Sequence, residues 1–124
     1  MRLAYLLVPL SLVACGGSGG GGNQAPAEID LTATGATAGG TSVNISIPSG
    51  GQVHFVNKDT KPHQISSSNC PELNTAELAP SADSGLKTVT TQTSCTFNDS
   101  LNPSNASYTG TITVLPPGNP GGGY

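Results

Sequence analysis

The sequence predicts an all-β fold, a Greek-key β-sandwich of short strands. Three observations give the all-β class. Short runs alternate apolar and polar residues with a period of two, Pro, Gly, Ser and Asn cluster between the runs, and no segment carries the period of an amphipathic helix. Composition agrees. Charged residues are 9% and aromatic residues 4% of 124, and abundant Gly, Ser and Thr favour strands and turns over helices.

In chain order, "AEIDLTATG" alternates Ile29, Leu31 and Ala33 with polar neighbours. The strongest signal is "TSVNISIPSGGQVHFVNKD": Val43, Ile45 and Ile47 alternate, Pro48-Ser49-Gly50-Gly51 makes a turn, and Val53 and Phe55 resume the alternation. His54, between those two, faces away from the core. "KDTKP" reads as a loop and "HQIS" as a short strand. "CPELNTAELAPSADSG" is a connection with one short helical turn at most, bounded by Pro71 and Pro80. "LKTVTTQ" and "SCTFND" are Thr-rich strands. "YTGTITVLPP" closes the domain, with Ile112 and Val114 inward and Thr111 and Thr113 outward. Seven or so short strands joined by turns make a Greek-key sandwich over residues 28–115.

The first fourteen residues read as a signal peptide, with Arg2 as a minimal positive region and an apolar stretch from Leu3 to Ala14 too short to cross a bilayer stably. "LVAC" resembles the lipobox of bacterial lipoproteins, which implies that Cys15 becomes the lipidated first residue of the mature chain. Residues 15–27 then form a lipidated, Gly/Ser-rich linker, and residues 116–124 a disordered Pro/Gly tail. The expected address is the cell envelope, anchored to a membrane by lipid. Gly16 stands where inner-membrane retention would have Asp, which favours the outer membrane if the source is Gram-negative.

Without Arg2, three lysines (58, 61 and 87) oppose seven acids, a net charge of −4. A nucleic-acid partner needs clustered Lys and Arg and is excluded. With Cys15 assigned to lipid, Cys70 and Cys95 form an even pair in an exported chain and read as one disulfide. Its loop of about 26 residues would contribute roughly 3 to 4 kcal/mol. A core with three aromatics (Phe55, Phe97 and Tyr108) benefits from such a staple.

"ISIPSGGQVHFVNKDTKPHQI" followed by "GTITV" resembles the cupredoxin family of plastocyanin-like blue-copper domains. "CPELN" and "LNPSN" resemble a bacterial subgroup of it, in which the two extra cysteines fit a bridge. The resemblance implies that His63 is the first copper ligand and that Asn57 ties the first ligand loop to the second. The rest of the ligand set departs from the family. Counted back from Gly110, Ser100 falls in the cysteine slot, Pro103 in the histidine slot and Tyr108 in the methionine slot. In the subgroup's register, Asn98 and Ser100 stand where histidines are expected. A type 1 site needs two imidazoles and a thiolate with a weak axial ligand, and neither register supplies them.

The expectation is therefore a non-catalytic binding or structural module that has lost its type 1 copper ligands, with no cofactor. His63 would be hydrogen-bonded to loop groups such as Asn98 or Ser100. Asn57, His63, Asn98, Ser100 and Tyr108 would line a recognition end open to a protein partner, in a monomer. The alternative is copper binding for electron transfer or storage, with His63 as the metal ligand helped by a free Cys95 thiolate, His54 or a partner's residue. No constellation supports an enzyme, and the triplets "NIS", "NDS" and "NAS" read as chance matches to a glycosylation signal.

Overall fold

The computed structural model describes residues 25–90 and 93–116. The segment expected to be a signal peptide, Cys15, most of the expected linker and the expected tail from residue 117 onward lie outside the described residues. Eight strands run in order: β1 (Ala27–Thr32), β2 (Gly35–Ala38), β3 (Thr41–Pro48), β4 (Gly51–Asn57), β5 (Ile65–Ser66), β6 (Lys87–Val89), β7 (Ser94–Asp99) and β8 (Gly110–Leu115). Two 3-10 turns, Pro71–Leu73 and Ala106–Tyr108, interrupt the loops. Among the described residues, no helix is long and apolar enough to cross a membrane.

The strands form one curled sheet in the order β5-β7-β8-β3-β2-β1-β4-β6. β1 pairs in parallel with β4, and β3 in parallel with β8. β2 is antiparallel to both β1 and β3 and joins the two halves. The halves face each other: Phe55 on β4 and Phe97 on β7 meet edge to face, with ring centroids 5.2 Å apart. Such edge-to-face pairs contribute about 0.5–1.5 kcal/mol beyond their buried area.

The expected alternation places the core. Ile29, Leu31, Val53, Phe55 and Ile112 are fully buried, and Val43, Ile47 and Val114 nearly so. Ile45 is only partly buried and packs against the cluster. Two expectations need correction. Ala33 is exposed, because β1 ends at Thr32 and the chain has begun to turn. The four-residue β2 is an added strand, made by pairing with β1 and β3 rather than by any hydrophobic period of its own.

Gly110 opens β8 directly opposite Phe97. A Cβ there would lie 2.6 Å from both the Phe97 ring and Val43 Cβ, so the aromatic core closes only over a glycine. Cys70 and Cys95 are disulfide-bonded, with Cα atoms 5.5 Å apart, and both are fully buried. The bridge fastens the long connection after β5 to β7. It also removes the free Cys95 thiolate on which the copper alternative drew.

Candidate functional site at the loop end

Asn57, the last residue of β4, is fully buried. Its side-chain amide donates to the carbonyls of Lys61 (2.8 Å) and Leu78 (2.9 Å), and its oxygen accepts from the Asp59 N–H at 2.8 Å. Asn57 thus folds residues 58–61 back on themselves and ties them to the 70–85 connection. None of these partners belongs to the loop between β7 and β8, which is where the resemblance would have sent them.

The loop delivers His63 to the interior, 1% exposed. Its backbone exchanges hydrogen bonds with Leu78, the His63 N–H donating at 3.1 Å and its carbonyl accepting at 2.7 Å. The imidazole lies between two carboxylates. Nδ1 is 2.5 Å from Asp99 Oδ2, and Nε2 is 2.9 Å from Asp59 Oδ2. The Tyr108 ring covers its face at a centroid distance of 4.6 Å. Tyr108 is itself anchored by its hydroxyl, which donates to the Thr32 carbonyl at 2.6 Å. Gly35 permits that anchorage: at φ +147°, its missing side chain admits the Ser107 carbonyl to the place a Cβ would fill.

Asp99 ends β7 and is fully buried. Burial pushes its carboxyl up, but hydrogen bonds from His63, the Gln64 N–H, the Asn102 amide and the Leu101 N–H outweigh that and hold it below the usual 3.8. Asp59 is likewise held below 3.8, first by the His63 hydrogen bond and then by the Thr60 N–H. Both carboxylates are therefore ionised and can only accept. Two acceptors facing two ring nitrogens are both satisfied only by a ring that carries a proton on each, the imidazolium form. Burial raises the Tyr108 phenol, and the charges of Asp59 and Asp99 raise it further.

The assembly is a charged cross-link. Asp59 and His63 come from one loop and Asp99 from the end of β7, so the imidazolium joins the two loops between which a blue-copper domain would hold its metal. A cavity of about 240 Å³ opens over it, lined among others by Asp59, Lys61, His63, Asn102, Asn105 and Tyr108.

The expected partners of His63, Asn98 and Ser100, are corrected by strand geometry. Cys95, Phe97 and Asp99 are the buried positions of β7, so the residues on either side of Asp99 point away. Asn98 lies on the outer face of the sheet. Ser100 is exposed and bonds the Gln64 carbonyl at 3.2 Å, and Pro103 is exposed on the loop. Of the five residues expected at a recognition end, His63 and Tyr108 line the cavity together. Asp59 and Asp99 were not anticipated. The signal that could have found them is the inward phase of β7 and an acid four residues before His63. His54 faces outward as expected, with Nδ1 3.0 Å from Asp83 and Nε2 3.8 Å from Glu28.

The lowered carboxyls carry a pH dependence. A group whose folded pKa lies below its unfolded value contributes stability that is complete above the unfolded value and disappears as pH falls through the folded one. Asp59 and Asp99 therefore stabilise the fold fully above about pH 4–5 and lose that contribution below 3.8. The urea midpoint is expected to fall between pH 6 and pH 3, with a smaller fall in Asp99→Asn. Equal falls in the two proteins would contradict the assignment.

The curled sheet, its parallel β1–β4 and β3–β8 pairs and the histidine loop at one end define a cupredoxin-fold domain. Solved structures agree. A purple cupredoxin from Nitrosopumilus maritimus is 22% identical, with a TM-score of 0.55 over 71% of this chain and 98% of that one. A Cu(I) structure of an amicyanin mutant is 14% identical, with a TM-score of 0.53 over 72% of this chain and 81% of that one. Oxidised plastocyanin from Dryopteris crassirhizoma is 22% identical, with a TM-score of 0.52 over 71% and 99%. At these identities the likeness is one of fold. No protein-family model matches the sequence, and no curated protein matches it significantly.

The donor set does not fit a type 1 copper centre, which needs two imidazoles and a thiolate. Both His63 nitrogens face carboxylates, and the sulfurs of Cys70 and Cys95 are bonded to each other. Among the described residues, no group of three or more His, Cys, Asp or Glu side chains could hold a metal ion.

Proposed function

We propose that this chain is a cell-envelope lipoprotein, anchored through Cys15, whose cupredoxin-fold domain is a non-catalytic binding or structural module that has lost the type 1 copper ligands. One observation carries the reading: both ring nitrogens of His63 are taken by Asp59 and Asp99. A proton on each side of the ring does the joining that a metal does in a copper domain. The "LVAC" lipobox and the Gly/Ser run behind it support the anchor. The cavity over His63 supports a recognition end for a protein partner, with the domain acting as a monomer. The second reading is copper binding through His63 for electron transfer or storage, and it draws on the fold and on the Cu(I) amicyanin among its structural neighbours.

Copper titration separates the two. Cu(II) and Cu(I) added to the full-length protein are expected to give no thiolate-to-copper absorption band and no affinity beyond that of a surface histidine. A stoichiometric visible band that disappears in His63→Ala would overturn the reading.

A further inference from the structure

The two outer faces of the sandwich differ in chemistry. Glu28, Asp30 and His54 point outward from β1 and β4, with Lys58 and Asp83 beside them. The opposite face, built from β3, β8, β7 and β5, is uncharged. Strand register sets its outward side chains in rows: Asn44, Thr111 and Thr96 lie side by side, and Ser46, Thr113 and Ser94 form the next row. Asn98 and Ser66 extend the grid onto β5, and Pro48 beside Leu115 ends it at the far side. Against the Asn44 row lies a trough of about 690 Å³ whose lining contains no Asp, Glu, Lys, Arg or His. That volume falls within the roughly 300–1,000 Å³ of ligand clefts. Among the described residues, the side chains of Asn44, Ser46, Thr111 and Thr113 make no hydrogen bond within the protein.

We propose that this trough and its hydroxyl–amide grid bind an uncharged polysaccharide. Charge complementarity selects that occupant. Nucleic acid needs basic residues, which the grid lacks, and a protein interface of this size is built around central aromatic or apolar anchors, whereas the exposed apolar side chain here, Leu115, lies at the far edge of the grid. Serine and threonine hydroxyls and asparagine amides each donate and accept, as sugar hydroxyls do. Within a row, neighbouring side chains repeat at the strand spacing of about 4.8 Å, on the scale of a sugar ring, so successive sugars laid across the strands meet similar partners. This site is separate from the His63 cross-link: copper binding would sink the proposed function and leave this inference standing.

The test titrates the full-length ¹⁵N-labelled protein with cellohexaose, with chitohexaose and with an acidic hexagalacturonate. At least one neutral hexaose is expected to shift backbone amides of residues 42–46, 94–98 and 109–113 saturably. Thr111→Lys, an outward change in the middle of the grid, should weaken that binding by about tenfold or more through lost hydrogen bonds and blocked access, with the unfolding midpoint unchanged. Glu28→Gln on the charged face should bind like the wild type. No shifts with either neutral hexaose would overturn the proposal. So would shifts confined to the His63 cavity, equal affinity for the acidic sugar, unaltered binding by Thr111→Lys, or a dimer formed through this face.

Discussion

Replacing His63 with alanine is expected to lower the unfolding free energy by about 3–5 kcal/mol, the cost of breaking a buried ion pair by removing one partner. The reason is the state in which Asp99 is left. It is fully buried and ionised, and the imidazolium is the cation in contact with it. Without the ring, its charge must remain uncompensated or take up a proton, and a hole opens beneath Tyr108. The internal comparison is His54, which also lies between two carboxylates. Its partners Asp83 and Glu28 are 50% and 47% exposed, and exposed pairs contribute about 0–1 kcal/mol. His54→Ala should therefore cost no more than about 1 kcal/mol. Urea unfolding of both variants at neutral pH measures the contrast. Equal small losses would mean that the buried bridge does not hold the loops.

Removing the Cys70–Cys95 bridge is the second large effect. The cysteines are 25 residues apart in sequence, and closing such a loop contributes roughly 3–4 kcal/mol by constraining the unfolded chain. A small domain has about 5–15 kcal/mol in total, so the loss is a large share of it. The segment most dependent on the bridge is the connection from Cys70 to Gly85, whose one regular element is the Pro71–Leu73 turn. That connection also supplies the Leu78 carbonyl to both Asn57 and the His63 N–H. The paired Cys70→Ala, Cys95→Ala variant should show a lower urea midpoint and faster amide exchange at Leu78 and His63. An unchanged midpoint would remove the bridge from the account of stability.

Alternation located most of the fold in the sequence. Val43, Ile47, Val53, Phe55, Ile112 and Val114 each face inward as their period required, and His54 faces outward between Val53 and Phe55. The strand β2 was illegible because "GATA" has neither bulk nor period, and it exists through partners on both sides. The site was half legible. His63 and Asn57 stand out in the string that resembles a copper loop. Asp99 was passed over because slots counted from Gly110 fell on Ser100, whereas the phase of β7 turns the neighbouring residue inward. Its pairing with His63 spans 36 residues, and no local pattern encodes a contact of that range. Asp59 is four residues from His63, yet in a loop that spacing has no fixed direction until the Asn57 amide folds it.

The protonation of His63 in the folded protein tests the central claim most directly. Long-range ¹H–¹⁵N spectra at neutral pH should show both of its ring nitrogens carrying slowly exchanging, hydrogen-bonded protons, and one equivalent of copper should leave them in place. A ring with one bare nitrogen, or signals broadened away stoichiometrically by copper, would contradict it.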